Sequence, residues 1–546
     1  MSVMEDTGTR AAKAAGLDFD AIVIGAGMSG MYQLIRLRAL GLSARVLEAG
    51  TGVGGTWYWN RYPGARFDSE SYSYGFSFDK ELLQEWSWSE HFAPQPETLR
   101  YLNLVADRYD LRRDITFRCR VSAAHWDEAT RSWTVTAEDG TRLRSRFLIT
   151  AIGALSAPTL PKFEGMDSFR GQSWHTATMP YEPVDFTGKR VAVIGTGATG
   201  VQTIQEVAKT CGQLTVFQRT PNWCAPLLNR KITEEEQQRI KAGYDEIFRR
   251  CAETFSCFLH TPDPRATFEV SREEREAFWE TLYNSPGFGI WVGNFKDILT
   301  NREANAELSA FVANKIRSRV KDPKTAEMLI PRNHGFGTRR VPLETRYYEV
   351  YNQPNVRLVD SRATPITRIT PEGLQTTEES FAFDIIIYAT GFDALTGAFD
   401  RIDIRGAEGV RLKEAWSGGA RSFVGMMVSG FPNLFMLLGP HTALGNIPRS
   451  IEYNVDWVSR LLGHMTERGL TRADARPEAV AAWMAHVMAC AEGLLTNEVD
   501  SWMTGVNRNV EGKQTRVIAR YSGSAPEYRA WCERVAEGGY RDVALG

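Results

Sequence analysis

The chain carries one local pattern twice: a short apolar strand, a glycine-rich turn and a helix-forming segment. The first copy runs from Phe19-Asp-Ala-Ile-Val-Ile24 into Gly25-Ala-Gly27-Met-Ser-Gly30 and on to about Leu40. The second runs from Lys189-Arg-Val-Ala-Val-Ile194 into Gly195-Thr-Gly197-Ala-Thr-Gly200. In this order the glycines permit a tight turn and close approach to a pyrophosphate, which sits at the helix N-terminus. One such turn is weak evidence, because glycine-rich turns recur in many loops. Two turns, each with its flanking strand and helix, predict an α/β chain with two Rossmann-like dinucleotide-binding domains and therefore two nucleotides.

The two copies end differently. In the first, the strand Ala44–Leu47 closes on Glu48, about 20 positions past the glycines, where a carboxylate can accept from ribose hydroxyls. In the second, Leu214–Phe217 runs into Gln218-Arg219-Thr220. A guanidinium there can pair with a 2′-phosphate that a carboxylate would repel, so the second nucleotide is expected to be NADP and not NAD. The plainer alternative is a solvated surface arginine. Gly54-Gly55-Thr56-Trp57-Tyr58-Trp59-Asn60-Arg61-Tyr62-Pro63-Gly64-Ala65-Arg66-Phe67-Asp68 is rich in aromatics, yet carries too much glycine and proline for a regular element. Such a loop can wrap a flat ring system, or it can be an aromatic cluster under a surface loop.

A net charge of −2 over 546 residues gives no support to a nucleic-acid or anionic-membrane partner. The seven cysteines (119, 211, 224, 251, 257, 490 and 532) show no C-x-x-C spacing, so no disulfide framework, redox dithiol or zinc site is expected, and no metal. Met1–Asp18 is polar and lacks the apolar core of a secretory signal. The most apolar stretch, Phe423–Pro440, is broken by Pro432, Asn433 and glycines and reads as buried strands, not a membrane span. A reducing cytoplasm is the expected compartment.

Along the chain, Leu102–Tyr109 reads as an amphipathic helix. Short strands are expected around Phe117–Val121, Ala123–Trp126, Trp133–Ala137 and Phe147–Thr150. Thr150-Ala151-Ile152-Gly153 closes this part. A similar close recurs at Ala389-Thr390-Gly391-Phe392-Asp393, after the strand Ile385–Tyr388. Paired closes suit a chain that crosses between two nucleotide domains. From about Asn229 to Arg332 the period turns helical, with capping-box patterns at Thr233–Glu236 and Ser271–Glu274. Its apolar stripes are Ile240, Tyr244, Ile247, Phe248 and Cys251, then Leu308, Phe311, Val312, Ile316 and Val320, and they are expected to be core. The region is read as a helical insertion in the second domain. His334-Gly-Phe-Gly337-Thr-Arg339-Arg340 follows and is either an anion site or an exposed basic pair. The chain ends with a loop around His441 to Asn446, apolar helices at Ser450–Met465 and Pro477–Leu495, and Ser501-Trp502-Met-Thr-Gly505-Val-Asn507.

Together these segments resemble the type I Baeyer–Villiger monooxygenases, the flavoenzymes that include cyclohexanone and phenylacetone monooxygenases. Of the family fingerprint F-x-G-x-x-x-H-x-x-x-W-P the chain supplies Phe169, Gly171, His175 and Pro180, with Met179 in the Trp place. The signature G-G-x-W-x-x-x-x-Y-P-G-x-x-x-D is met by Gly54, Gly55, Trp57, Tyr62, Pro63, Gly64 and Asp68. G-T-K-R resembles Gly337-Thr338-Arg339-Arg340, A-T-G-F-D matches residues 389–393, and S-W-x-x-G-x-N resembles Ser501 to Asn507. The likeness runs from about residue 19 to residue 546.

The resemblance implies FAD on the first unit and NADP(H) on the second. Residues 1–156 and 392–546 would form the FAD-binding domain and 157–391 the NADP-binding domain, with the insertion at about 229–333. It implies that hydride reduces the flavin, O2 gives a C4a-peroxyflavin, and attack on a small-molecule ketone yields an ester or lactone. Arg340 matches the catalytic arginine; a guanidinium keeps its proton and can hold a peroxide anion and an oxyanion adduct. Asp68 matches the carboxylate that orients it and is expected to stay ionised beside the cation. By the same resemblance FAD would contact Gly25, Gly27, Gly30, Glu48, Gly55, Thr56, Trp57, Asp68, Tyr74 and Val121. NADP(H) would contact Gly195, Thr196, Gly197, Thr199, Gly200, Arg219, Thr220 and Arg339, with Trp502 closing over its nicotinamide side. His175 has no visible acidic partner and looks like a linker residue coupling the two domains. Met179 is adaptable enough to fill part of a Trp-sized space, at some loss of rigidity. The rival is an N-hydroxylating or sulfoxidising flavin monooxygenase, which shares the glycine turns but is not expected to carry the Asp68–Arg340 pair. A non-catalytic nucleotide-binding protein is a more distant rival, and the lack of C-x-x-x-x-C leaves a disulfide reductase unsupported.

Overall fold

Each glycine turn follows a strand at the heart of a sheet and leads into its parallel neighbour. In the computed structural model, which describes residues 16–546, β1 (Phe19–Ile24) leads through the first turn into α1 (Met28–Ala39) and then β2 (Ala44–Leu47). The reading of Met1–Asp18 falls almost wholly outside the described residues. β1 and β2 pair in parallel, Ala21 opposite Ala44 through Ile24 opposite Leu47, which their helical crossover makes possible. A Cβ on Gly30 would run into the carbonyl oxygen of Gly25, so glycine lets α1 lie this close to the strand it leaves.

The first sheet continues with β3 (Ile115–Thr116), β4 (Val121–Asp127), β5 (Ser132–Ala137) and β6 (Arg142–Thr150). The strand expected over Phe117–Val121 is broken: Arg118 sits at φ 57°, outside the extended region, and the ladder restarts only at Val121. The helix expected at Leu102–Tyr109 begins earlier and spans Gln95–Arg108, with a proline in its first turn where the missing N–H costs nothing.

The second sheet is parallel throughout. It contains β7 (Gln172–His175), β8 (Arg190–Ile194), α2 (Ala198–Val207) as the first crossover, β9 (Gln213–Gln218), β10 (Val356–Asp360) and β11 (Ile385–Tyr388). The order is β10-β9-β8-β11-β7. The fingerprint stretch Phe169–Pro180 is thus the edge strand of this sheet and the turn after it. Met179 is 3% exposed and packs in the apolar core of this half.

The chain then returns to the first sheet. β12 (Asp403–Arg405) pairs with β4 and β13 (Leu434–Met436) pairs with β6. The stretch Phe423–Pro440 is almost entirely buried, but Leu434–Met436 is its one strand. Val424, Asn433 and Leu438 have positive φ, and the rest of the stretch is tight turns. Helices Ile447–Glu467 and Pro477–Ala491 follow, close to the expected spans. Among the described residues no helix is long and apolar enough to cross a membrane.

Between β9 and β10 lies the helical insertion. Thr233 closes a full capping box with Glu236, whereas Ser271 caps only the Glu274 amide. Leu308, Val312 and Ile316 on the helix Arg302–Arg319, and Val320 at its C-cap, are buried in one core with the second sheet, as the stripe implied, while Phe311 of that stripe is half-buried and packs against the same core. Arg319 fastens the end of that helix: it donates to Glu344 at 2.7 Å and to Glu349 at 2.7 Å. The Glu344 side chain is fully buried. Arg319→Met should therefore leave a buried carboxylate uncompensated and cost about 3–5 kcal/mol. Denaturant titration measures it, and a loss below about 1 kcal/mol would mean that the pair is not structural.

Candidate active site

A single cavity of about 2370 Å³ runs past the C-terminal ends of β1, β2, β8 and β9, where open α/β sheets bind ligands. From the first half it is lined by Gly25, Gly27, Glu48, Gly55, Thr56, Trp57, Asp68, Tyr74 and Val121. From the second half come Gly195, Thr196, Gly197, Thr199, Arg219, Thr220, Arg339 and Arg340, and from the C-terminal part Trp502. Gly30 and Gly200 do not line it; each lies beneath its turn, in contact with the carbonyl of Gly25 or Gly195. Phe169, Gly171, His175 and Pro180 do not line it either.

The loop after β2 builds an aromatic wall. Phe67 stacks on Tyr74 at 4.2 Å between centroids, and Trp57 Nε1 donates to the Tyr74 hydroxyl at 3.2 Å. Glu48 accepts from the amides of Ala26 at 2.7 Å and Gly50 at 2.6 Å. Its carboxylate therefore stitches the glycine turn to the end of β2 and keeps lone pairs for a ribose hydroxyl. The same loop docks on the second half. The Tyr62 hydroxyl donates to Gln202 Oε1 at 2.8 Å, and Gln202 Nε2 donates to the Arg66 carbonyl at 3.1 Å.

That docking brings Asp68 to Arg340. Arg340 Nη2 forms an ion pair with Asp68 Oδ2. The Asp68 side chain is 3% exposed and that of Arg340 33%. Asp68 Oδ1 and Arg340 Nη1 are buried without a protein partner. Burial pushes the Asp68 carboxyl above its usual range, opposed by Arg340 and Arg66. The sequence reading weighed only the neighbouring cation; desolvation is the larger influence. What results is a cation fixed by its carboxylate, on a residue that lines the cavity, with one donor left unpaired, an arrangement suited to stabilising an anion.

A second group of cations sits nearby. Burial lowers both Arg219 and Arg339 from the usual guanidinium range, and Arg508 adds to each effect. Arg362 acts on Arg219, and Arg339 Nε has no partner. The carboxylate acting on Arg339 is Asp500, already bonded to Arg516 at 2.7 Å and Arg508 at 3.2 Å. Converging arginines this short of counter-charge fit a phosphate. Arg362 has no motif around it, and Arg508 lies one residue past Ser501–Asn507, outside the positions that pattern specifies. Phe258, Trp291, Phe295 and Leu299 of the insertion also line the cavity. They lie outside the two helical stripes, so periodicity passed over them.

The crossovers between halves are fastened by side chains. His175 Nε2 donates to the Gly391 carbonyl at 3.0 Å and Nδ1 accepts from the Ala177 amide at 3.1 Å, which ties the end of β7 to the second crossover. Lys513 Nζ lies 2.8 Å from Asp393 and 2.9 Å from Asp400, so the segment carrying Trp502 is held to the same crossover. His441 is not a cavity residue: its ring is fully buried, donating to the Ile518 carbonyl at 2.8 Å.

Comparison with known proteins sets this geometry in context. A family model described as pyridine nucleotide-disulphide oxidoreductase matches residues 22–260. The chain is 46% identical over 534 residues to 2-oxo-Δ3-4,5,5-trimethylcyclopentenylacetyl-CoA monooxygenase of Pseudomonas putida, covering 96% of this chain and 98% of that protein. It is 40% identical over 538 residues to a Baeyer–Villiger monooxygenase of Pseudooceanicola batsensis, covering 98% of each. A crystal structure of OTEMO in complex with FAD and NADP superposes with a TM-score of 0.94 at 46% identity, over 97% of this chain and 100% of that one.

Three buried histidines give a pH signature. Burial pushes His175 and His441 down to about 4 and His334 down to about 3, from an ordinary 6.5. The unfolded chain therefore binds more protons below about pH 6.5, and stability must fall as pH drops from there toward 4, each ring contributing up to ~1.4 kcal/mol per pH unit. Melting curves between pH 4 and 7 should show this slope, and His175→Gln should flatten it. An unaltered slope in the variant would contradict a neutral, buried ring.

Proposed function

The chain belongs to the Baeyer–Villiger monooxygenases, FAD- and NADPH-dependent enzymes that use O2 to insert an oxygen beside a ketone carbonyl, and we propose that Arg340, oriented by Asp68, is its catalytic cation. The carrying observation is the unpartnered Nη1 of Arg340, beside a cavity reached by both glycine turns. When bound, the nicotinamide supplies the hydride and the flavin the activated oxygen. Arg340 stabilises negative charge at the reacting oxygens and, as a guanidinium, does not give up its own proton to them. Asp68 fixes the direction of that fork by holding Nη2, which leaves Nη1 for the anion.

The remaining roles follow from position. FAD is assigned to the domain formed by 1–156 and 392–546, along Gly25, Gly27, Gly30, Glu48, Gly55, Thr56, Trp57, Tyr74 and Val121. NADP(H) is assigned to 157–391, with its pyrophosphate at Gly195, Thr196, Gly197, Thr199 and Gly200 and its 2′-phosphate among Arg219, Thr220, Arg339, Arg362 and Arg508. Trp502 covers the nicotinamide side. Phe169, Gly171, His175 and Pro180 couple the domains without touching reactants; the neutral His175 and its bond to Gly391 support this. A cytoplasmic location is part of the reading, supported by seven free cysteines.

Arg340→Ala should still allow NADPH to reduce the flavin, while ester formation falls by about 10²–10³ or more. Stopped-flow flavin absorbance and product analysis measure the two steps; ester formation at a near-normal rate would remove Arg340 from the chemistry. Arg219→Ala should raise the NADPH KM by on the order of 1.5–3 kcal/mol in binding and leave NADH nearly unaffected. Equal effects on both nucleotides would place the 2′-phosphate elsewhere. Lactone identification from a cyclic ketone separates this reading from amine or sulfur oxidation.

A further inference from the structure

One half-buried cation in the cavity wall is unused by the scheme above. Arg520 lines the cavity, and its Nη2 donates to Thr496 Oγ1 at 3.0 Å. Its Nε is buried with no partner. Among the described residues no carboxylate pairs with it. The carboxylates of the preceding segment are already taken, Glu498 by Arg302 at 2.6 Å and Asp500 by Arg508 and Arg516. Burial alone lowers Arg520, to about 10, so it is charged at neutral pH and no other charged group acts on it. Two residues on, the Ser522 hydroxyl is also buried without a partner, and Ser522 also lines the cavity.

The surroundings place this pair at the substrate end and not with the phosphate-binding arginines. The run 518–520 lies against the loop that leaves β13 of the first sheet, the His441 amide donating to the Ala519 carbonyl at 3.2 Å. The Ala525 amide donates to the Phe255 carbonyl at 2.7 Å, which brings the start of the insertion to the same place. The apolar part of the cavity wall there is Phe255, Phe258, Leu438, Leu444 and Ile447, with Phe255 half exposed at the rim, while Thr496, Ser524 and Glu527 line it from the C-terminal segments. A guanidinium without a paired carboxylate and a hydroxyl beside these apolar side chains suit one small anion on an otherwise apolar molecule.

We propose that Arg520 and Ser522 form a carboxylate-binding subsite, so that the preferred substrates are ketones carrying a carboxylate remote from the carbonyl. This rests on the ketone reading of the site. A carboxylate fits better than a phosphate because it matches a single guanidinium fork, whereas the phosphate corner of this cavity gathers four arginines. A bound carboxylate would supply the counter-charge that the fold withholds from Arg520.

The test compares (2-oxocyclopentyl)acetate with its methyl ester, using the FAD-loaded enzyme, saturating NADPH and lactone identification. The wild type should prefer the acid in kcat/KM by about tenfold or more, since the ester leaves the guanidinium unpaired. Arg520→Met should abolish that preference, and Arg520→Lys should restore part of it; unchanged flavin absorbance confirms that each variant is folded. A wild type that favours the ester overturns the subsite. So does an Arg520→Met variant that keeps the acid preference, or one whose change lies in the NADPH KM. Lactone from both compounds without preference defeats the subsite alone, whereas lactone from neither, nor from cyclopentanone, defeats the ketone reading beneath it.

Discussion

An ion pair between residues 272 positions apart spans the seam of this molecule. Asp68 comes from the aromatic loop of the first half and Arg340 from the segment that leaves the helical insertion of the second. Neither half alone makes the site: the carboxylate is almost fully buried and would be costly there without its cation. The pair is possible because the loop that carries Asp68 is docked on α2 through Tyr62, Gln202 and the Arg66 carbonyl. The glycine turns, the aromatic wall and the insertion all serve to bring one guanidinium to a cavity edge with a donor to spare.

Charge is distributed in this cavity according to what must be bound. Arg340 has a carboxylate behind it and keeps its direction. Arg219 and Arg339 have neighbouring cations and almost no counter-charge, an arrangement that suits a dianionic phosphate. Arg520 has neither, and donates to Thr496. On the proposed reading these three environments suit three kinds of anion: one formed during reaction, one carried by the cofactor and one carried by the substrate.

Much of this was legible from residues. The bounds of β1 and β2 and the span of β11 follow from short apolar runs ended by glycine or acid. The stripe Leu308, Phe311, Val312, Ile316 and Val320 identified a core-facing side, with Phe311 half-buried at its edge, because helix periodicity is a strong signal. Where the backbone departs from regular angles the signal fails: Arg118 breaks an expected strand, and positive φ at Val424, Asn433 and Leu438 turns expected strands into buried turns. Cavity residues on connecting segments, such as Leu299, or on a helix of a single turn, such as Trp291 on Gly289–Val292, lie in too short a run to show a period. Arg362, Arg508 and Arg520 could be seen as arginines but not as unpaired ones, since pairing depends on contacts made only in three dimensions. The raised Asp68 carboxyl has the same origin, because burial depth is a property of the assembled halves.

The clamp between Lys513 and the carboxylates of Asp393 and Asp400 has a mechanical meaning. The segment that bears Trp502 is pinned through Lys513 to the strap where the chain re-enters the first half, and is braced within itself by the ion pairs of Asp500 with Arg508 and Arg516. A flap anchored on the hinge of two bodies cannot swing on its own. Any rotation of one nucleotide half against the other must carry this strap, and the indole tied to it, along, so the position of Trp502 and the relative turn of the halves amount to a single coordinate.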